Sequence, residues 1–202
     1  MNFTTLLQLF TTINVGSDEM EKMLKHFYAA DQKLFRNVNQ FFERKYLNVF
    51  FRNITHCGGA TFTISSVFLL LVFAPAPIRF VALASAISLA VSHLPVAILK
   101  KMYPRKRPYL VLKEINVTDK PLKDHSFPSG HTTAIFSIVV PFIIYDPYLA
   151  IILLPLAVSV GISRMYLGLH YPSDVLAGMV LGNTTGFLAY QLIATHFSFA
   201  LL

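Results

Sequence analysis

The sequence predicts an all-α protein, a polytopic bundle of about five to six membrane helices that includes an N-terminal amphipathic helix at the membrane interface. Hydrophobic residues make up 54% of the 202 positions and charged residues only 13%, about half the charged fraction of a typical soluble domain. Asp, Glu, Lys and Arg are absent from five long stretches, each about the length that a helix needs to cross a bilayer. These stretches are residues 53–78, 80–99, 125–145, 147–163 and 175–202.

The N-terminal segment, residues 1–52, has a different pattern. Apolar residues recur in its second half with a period close to 3.6, and charged residues occupy the other faces. The apolar positions are Leu34, Phe35, Val38, Phe41, Phe42, Tyr46, Val49 and Phe50. The pattern predicts amphipathic helices that lie on the membrane surface, with a helix that binds a partner protein as the alternative. The remaining residues, 53–202, are predicted to form a transmembrane domain.

The predicted spans follow from the uncharged stretches and from the prolines between them. Proline restricts its own backbone and that of the preceding residue, so Ala74–Pro77 and Asp146–Pro147 are predicted to be tight turns. These turns leave two longer polar connections, residues 100–130 and 164–174. The spans are placed near 58–75, 79–99, 131–145, 147–163 and 175–195.

Charge and cysteine content exclude several classes of protein. The net charge is +7, but the basic residues lie between apolar stretches and form no continuous patch, so no nucleic-acid partner is expected. The single cysteine, Cys57, excludes an intrachain disulfide and a cysteine-based metal site. The first residues carry no basic segment before their apolar stretch and make a poor signal peptide. The membrane segments are therefore expected within the mature chain.

Three polar segments adjoin the ends of predicted spans and are expected to meet. Lys100–Pro108 follows the second span, Phe127–His131 leads into the third, and Ser163–Asp174 leads into the fifth. In a bundle of antiparallel spans, these three positions lie on the same face of the membrane. The sequence therefore predicts one functional site that is built from three separate segments.

The residue types in this set favour phosphate chemistry. Lys100, Arg107 and Arg164 supply three positive charges, and each arginine can bind two oxygens of a phosphate. Ser129 and Gly130 precede a helix whose first amide groups are unpaired, and glycine lets the backbone approach the oxygens closely. Because this face offers few carboxylates that could hold Mg²⁺, no metal and no other cofactor is expected.

Two histidines and one aspartate complete the predicted site. His131 and His170 can serve as a nucleophile and a general acid, because imidazole titrates near neutral pH. Asp174 follows His170 by four residues and can hold the tautomer of that imidazole, besides favouring a helix N-terminus electrostatically. The other histidines match no motif and are expected to be non-catalytic, although His125 is close enough in sequence to line the site. They are His26, His56, His93, His125 and His196.

The three segments resemble the signature of the type 2 phosphatidic acid phosphatase (PAP2) superfamily. That signature reads Lys-x6-Arg-Pro, Pro-Ser-Gly-His and Ser-Arg-x5-His-x3-Asp, and the chain matches it without a gap from Lys100 to Asp174. The resemblance implies a six-helix catalytic domain over about residues 31–195. Within the family, the chain looks most like the small bacterial membrane lipid phosphatases.

This resemblance implies a role for each residue of the site. His170 would be the nucleophile that forms a phosphohistidine, His131 would protonate the leaving alcohol, and Asp174 would orient the imidazole. The family works without a metal. The phosphate would be held by Lys100, Arg107, Ser129, Gly130 and Arg164.

The function that the resemblance implies is hydrolysis of a lipid phosphate, either a phosphomonoester or a diphosphate, by an enzyme of the cell membrane. Undecaprenyl diphosphate, phosphatidylglycerophosphate and phosphatidate all fit a site at the membrane face. Two alternatives are kept: a non-catalytic transporter or permease, and an enzyme similar to the vanadate-dependent haloperoxidases. The oligomeric state is left open.

Two arguments give opposite membrane orientations. All of the 17 Lys and Arg residues except Arg79 lie on the side of the predicted site. The positive-inside rule would place that side in the cytoplasm, whereas the resemblance to bacterial lipid phosphatases implies a site outside it. We expect the outward orientation for the multi-pass chain, because several basic residues belong to the amphipathic segment and can bind anionic headgroups of either leaflet.

Overall fold

The structure, a computed structural model, describes residues 17–119 and 121–200 and contains no strand among them. Its helices are α1 (Ser17–Asn39), α2 (Lys45–Ile54), α3 (Ala60–Phe73), α4 (Ala76–Met102), α5 (Pro108–Val111), α6 (Gly130–Tyr145), α7 (Ala150–Tyr166) and α8 (Pro172–Ala200), with 3₁₀ turns at Thr55–Gly58 and Pro147–Leu149. The predicted all-α membrane fold is confirmed. The helices outnumber the predicted five to six, because the N-terminal segment forms two and the long connection holds the four-residue α5, which Pro108 begins. The predicted N-terminal segment before residue 17 lies outside the described residues.

Several helices have the length and composition of membrane spans. α4, with 27 residues, and the helical stretch Pro147–Tyr166, with 20, are long and apolar enough to cross a bilayer. Lys45–Gly58 and Ala60–Phe73 qualify together as a third candidate, bent by 55° where they join. α6 is apolar but has only 16 residues. The chain turns at both predicted positions: Ala74 and Pro75 separate α3 from α4, whose first residues are Ala76 and Pro77, and Asp146 and the 3₁₀ turn follow α6.

α6 is the central helix of the bundle. Its ten consecutive residues from Thr132 to Pro141 are buried, which requires neighbours on every side of the helix. α4 and α8 pack on it most extensively. The core also draws on α3 and α7, and it includes Val67, Leu89, Ile135, Val139 and Val160. This packing fixes the start of α6, where one of the three polar segments lies.

Two glycines bring α8 close to α6. Gly178 and Gly182 stand four residues apart on one face of α8, a spacing that allows close helix contact. A Cβ atom at Gly178 would lie 2.6 Å from the carbonyl oxygen of Ser129, and one at Gly182 would lie 2.6 Å from that of Thr133. The close approach lets the amide of Ser129 donate to the carbonyl of Asp174 at 3.0 Å. Two of the polar segments are thereby joined.

α1 packs against the loop between α7 and α8. One face of α1 buries Asp31, Phe35 and Asn39, which are spaced by four residues. The side-chain amide of Asn39 donates to the carbonyls of Asn116 and Tyr166, both at 2.9 Å. The predicted amphipathic helix thus turns its buried face toward the end of the bundle that carries the polar segments.

Candidate active site

His170 lies in the loop that joins α7 to α8, and its side chain is buried. The loop turns at Gly168, whose φ of +77° is disfavoured for residues with a side chain, and a Cβ atom there would overlap the carbonyl oxygen of Asn116. Nε2 of His170 lies 3.1 Å from Nη1 of Arg107. Nδ1 lies 3.6 Å from Oδ2 of Asp174. The two ring nitrogens therefore face a cation and a carboxylate.

The carboxylate of Asp174 is held by three further groups. Its Oδ2 accepts from the hydroxyl of Ser126 at 2.5 Å and from the amide of Tyr171 at 2.8 Å. Its Oδ1 accepts from Nη1 of Arg105 at 2.8 Å. Ser126 Oγ also lies 3.5 Å from Nδ1 of His170. The direct distance between His170 and Asp174 is long for a hydrogen bond, so Ser126 connects these two side chains. The predicted pair of His170 and Asp174 is therefore part of a larger buried network.

The surroundings of His170 favour a neutral imidazole. Burial lowers the pKa of His170 to about 4, and the charges of Arg107 and Arg164 act in the same direction, against the opposing effect of Asp174. A neutral ring with its proton on Nδ1, toward the carboxylate, has its lone pair on Nε2, where it accepts from Arg107. This is the form in which an imidazole nitrogen can attack phosphorus.

Arg105 connects this network to α1. Its Nη2 donates to Oδ2 of Asp31 at 2.6 Å, while its Nη1 holds Asp174. Asp31 also accepts from the amide of Ser173 at 2.9 Å and from its hydroxyl at 2.6 Å. Burial disfavours the charge, but the two carboxylates raise the pKa of Arg105 above its usual value. The motifs do not identify Asp31, Arg105 or Ser126, because Asp31 and Ser126 lie outside the three motifs and Arg105 occupies an unspecified position of the first.

The substitution Arg105→Gln is expected to lower kcat by about 10- to 100-fold, the usual effect of removing a group that orients a functional side chain. The carboxylate of Asp174 loses one of its holding bonds and its neighbouring charge, while the cavity that would bind substrate keeps its lining. Steady-state kinetics of purified protein in detergent measures this effect. Lys106→Gln, a change at the exposed neighbouring residue, is the matched control. An equal loss in that control, or a loss confined to KM, would contradict the positioning role.

Arg107 and Lys100 are both bonded to Asp124. Nη2 of Arg107 donates to Oδ1 of this carboxylate and Nζ of Lys100 to Oδ2, each at 2.6 Å. Partial burial alone would raise the pKa of Asp124, but the two cations lower it to about 2, so the carboxylate is charged at neutral pH. Carboxylate and phosphate oxygens suit the same cations. Asp124, which lies outside the three motifs, therefore occupies the position at Arg107 and Lys100 that the sequence assigns to phosphate oxygens.

Arg164 is buried near the end of α7, and part of its guanidinium is unused. Its Nη1 donates to the hydroxyl of Thr55 at 2.7 Å. Its Nε and Nη2 have no hydrogen-bond partner among the residues that the structure describes. Buried charged donors without partners are rare in folded proteins. Arg164 lines a cavity of about 260 Å³, and His131 lines the same cavity, so the unused donors point to an anion that binds there.

The start of α6 adds backbone donors at the same end of the bundle. Gly130 is the first residue of the helix, and a Cβ atom there would meet nothing within 4 Å, in contrast to the tight surroundings of Gly178. The hydroxyl of Ser129 pairs with that of Thr132 at 2.9 Å. Open space beside the first amides of a helix is suited to an anion. The eight predicted residues thus lie at one end of the bundle, with Lys100 joined to the others through Asp124.

Comparisons with known proteins relate the chain to one family. The model of the PAP2 superfamily matches residues 79–198, which include all three polar segments. The bacitracin transport permease protein BcrC of Bacillus licheniformis is 34% identical over 104 residues, 52% of this chain and 51% of that protein. An undecaprenyl-diphosphatase of Sulfolobus acidocaldarius is 32% identical over 97 residues, 48% of this chain and 47% of that protein. The chain thus spans about half the length of the curated relatives it matches.

A solved structure has a similar fold. The crystal structure of Aquifex aeolicus LpxE superimposes with a TM-score of 0.71 at 25% sequence identity. The similarity covers 79% of this chain and 94% of that one. The arrangement of helices around α6 therefore belongs to a fold that is known from a crystal structure.

Proposed function

The chain belongs to the PAP2 superfamily, and from this premise we propose that it is a metal-independent lipid phosphate phosphatase embedded in the cell membrane. The observation that carries the proposal is the buried guanidinium of Arg164: two of its nitrogens have no hydrogen-bond partner among the described residues, and Arg164 lines the same cavity as His131. The oxygens of a phosphate can accept hydrogen bonds from both of these nitrogens. The name of the Sulfolobus relative, undecaprenyl-diphosphatase, supports the same chemistry.

Substrate binding would first rearrange the cations. A phosphate that enters the cavity competes with Asp124 for Arg107 and Lys100. It also draws Nη1 of Arg107 away from Nε2 of His170, which frees the lone pair of that nitrogen. Binding of the phosphate therefore both frees Nε2 of His170 and brings the phosphorus that this nitrogen attacks.

In the first chemical step, Nε2 of His170 bonds to phosphorus while the bond from phosphorus to the leaving oxygen breaks. The leaving oxygen keeps the electron pair and takes a proton from His131, which releases the lipid product. Arg107, Arg164 and the first amides of α6 meet the charge on the phosphate oxygens. Asp174 stabilises the positive charge that develops on the imidazole of His170. The enzyme then carries a phosphohistidine.

In the second step, a water molecule gives a proton to His131 and bonds through its oxygen to phosphorus. The bond between phosphorus and nitrogen breaks, and its electron pair returns to Nε2 of His170. Inorganic phosphate leaves, and Asp124 returns to its two cations. Both steps use the same five side chains, and His131 changes its role from general acid in the first step to general base in the second.

The membrane arrangement is part of the proposal. Residues 53–202 would form the catalytic domain with five spans, and residues 1–52 would lie at the interface, where α1 supports the site through Asp31. The lipid tails of the substrate would stay in the bilayer while the phosphate reaches the end of the bundle. Placement outside the cytoplasm suits lipid phosphates that are exposed on the outer leaflet.

Reporter fusions after Leu202 test the orientation. With five spans, an outward site puts the C-terminus in the cytoplasm, so a green fluorescent reporter is expected to be bright there and alkaline phosphatase inactive. The reverse pattern would place the site in the cytoplasm. Fusions after Ala74, in the first predicted turn, provide the control, because they are expected to give the same result as fusions after Leu202.

Phosphate release from defined lipids tests the activity. Purified protein in detergent is expected to hydrolyse at least one of undecaprenyl diphosphate, phosphatidylglycerophosphate and phosphatidate. The activity is expected to persist in excess EDTA, because Lys100, Arg107 and Arg164 supply the charge that a metal would otherwise supply. Vanadate is expected to inhibit by binding in the same place. If phosphate is released from none of the three lipids, the alternative function, a transporter or permease, is favoured. Activity that depends on Mg²⁺ would contradict the proposed site.

A further inference from the structure

A second group of polar side chains lines the cavity of Arg164, and it comes from outside the three motifs. Arg52, Thr55 and His56 lie at the end of α2 and in the 3₁₀ turn that follows it, and all three line the cavity. This segment precedes the residues matched by the family model. Neither Arg52 nor His56 belongs to a motif of the predicted site.

The 3₁₀ turn lies directly against His131. A Cβ atom at Gly58 would lie 2.7 Å from the carbonyl oxygen of His131. A Cβ atom at Gly59 would lie 3.8 Å from Nε2 of His131 and 3.1 Å from the carbonyl oxygen of His56. The absence of side chains at both glycines lets the turn approach the imidazole. The polar groups of this segment therefore stand beside the proposed acid.

Besides the donors of Arg164, Arg52 adds a further buried donor without a hydrogen-bond partner in the part of the chain that the structure describes. Arg52 donates through Nη1 to Oδ2 of Asp119 at 2.9 Å, but the side chain of that aspartate is 85% exposed. Nε of Arg52 is buried and, among the described residues, has no partner. Thr55, whose hydroxyl accepts from Nη1 of Arg164, lies three residues after Arg52 in the same segment. A phosphate bound to Arg164 alone would leave the donor of Arg52 unused.

We infer that Arg52 and His56 form a second phosphate subsite, which holds the leaving-group phosphate of a lipid diphosphate. The inference rests on the proposed function. Because His131 protonates the leaving oxygen, the groups next to His131 contact the leaving group. A lipid monophosphate has an uncharged alcohol at that position, which gives a guanidinium no anionic oxygen to bind. A lipid diphosphate has a second phosphate there.

The step with a diphosphate then uses both sets of donors. Nε2 of His170 bonds to the terminal phosphorus while the bond from that phosphorus to the bridging oxygen breaks. The bridging oxygen keeps the electron pair and takes a proton from His131, so a lipid monophosphate leaves. Arg52 and His56 donate hydrogen bonds to its remaining oxygens and stabilise the negative charge that develops on it while the bond breaks. The later hydrolysis of the phosphohistidine is unchanged.

A matched pair of substrates tests the subsite. Dodecyl diphosphate and dodecyl monophosphate differ only in the second phosphate, and kcat/KM is measured for both with full-length protein in detergent. Wild type is expected to prefer the diphosphate. Arg52→Gln and His56→Gln are each expected to lower the diphosphate-to-monophosphate ratio of kcat/KM by about 10- to 100-fold, the usual effect of a lost hydrogen bond to a charged group. Arg52→Lys is expected to recover part of the ratio.

Control variants separate this outcome from a general loss. Arg44→Gln and His26→Gln remove the same chemical groups from exposed positions of the N-terminal segment and are expected to leave the ratio unchanged. A ratio that stays constant in the Arg52 and His56 variants would overturn the subsite, even if both activities fall. Wild type that hydrolyses neither substrate nor any membrane lipid phosphate would instead overturn the proposed function. If Arg52→Gln does not fold, as a melting curve would reveal, His56→Gln and Arg52→Lys decide the result.

Discussion

Alanine in place of His170 is expected to abolish phosphate release, with a loss of at least about 10⁴-fold. The methyl group cannot form the bond to phosphorus. The side chains nearest the vacated ring, Arg107 and Ser126, cannot replace it either, since a guanidinium is not a nucleophile and the serine hydroxyl is committed to Asp174. Phosphate release from a lipid substrate measures the loss. A rapid quench with labelled substrate is expected to trap an acid-labile phosphohistidine in wild type and none in the variant.

Two further variants make this result specific. His26→Ala, on the exposed surface of α1, is expected to keep wild-type activity. His131→Ala is expected to lose about 10²–10⁴-fold with a lipid substrate, and less with a leaving group that needs no proton. If His170→Ala keeps more than a few per cent of wild-type activity, the covalent mechanism is wrong.

The sequence predicts that the three polar segments meet. The charge-free stretches have the length of membrane spans, and successive spans run in opposite directions, which brings the three segments to one face. The contacts agree with that expectation: Arg107 lies 3.1 Å from His170, and the amide of Ser129 donates to the carbonyl of Asp174. The charge-free stretches and the proline positions are sufficient here, since only the order of the span ends matters. The motif spacing added the identity of the residues that meet.

The carboxylates that pair with the cations could not be predicted in the same way. Asp124 lies in an irregular connection, and no periodic pattern fixes the path of such a segment. Asp31 lies 74 residues before Arg105, its partner. The sequence did carry one sign, because Asp31 shares a helix face with Phe35 and Asn39, and an acid on the buried face of a helix requires a partner. The identity of that partner needed the tertiary structure.

The bend between α2 and α3 is a feature that hydropathy does not predict. The first span was predicted to begin near residue 58, whereas the helical path continues from Lys45 and turns by 55° at the pair Gly58 and Gly59. Hydropathy records which residues are apolar and carries no information about direction. The glycines lie against His131, so the contact that places this turn is tertiary.

Lysine in place of Arg164 is expected to lower kcat/KM by about 100- to 1000-fold, although the charge is kept. Arg164 uses Nη1 to bind Thr55 and leaves Nε and Nη2 for an anion. A lysine has one ammonium group on a flexible chain, so it cannot hold Thr55 and two phosphate oxygens in one geometry. Loss of a positioned donor to a developing charge typically costs this much. Steady-state kinetics measures the effect, and inhibition by vanadate is expected to weaken with it.

The vanadate result distinguishes a lost phosphate contact from a damaged fold. Arg79→Lys, at an exposed position near the end of α4 opposite to Lys100, is expected to keep both activity and inhibition. A melting temperature of Arg164→Lys close to that of wild type would exclude unfolding as the cause of its lower activity. If Arg164→Lys retains wild-type kcat/KM, the unused nitrogens of Arg164 do not bind the phosphate, and phosphate binding must be assigned to Arg107 and the first amides of α6.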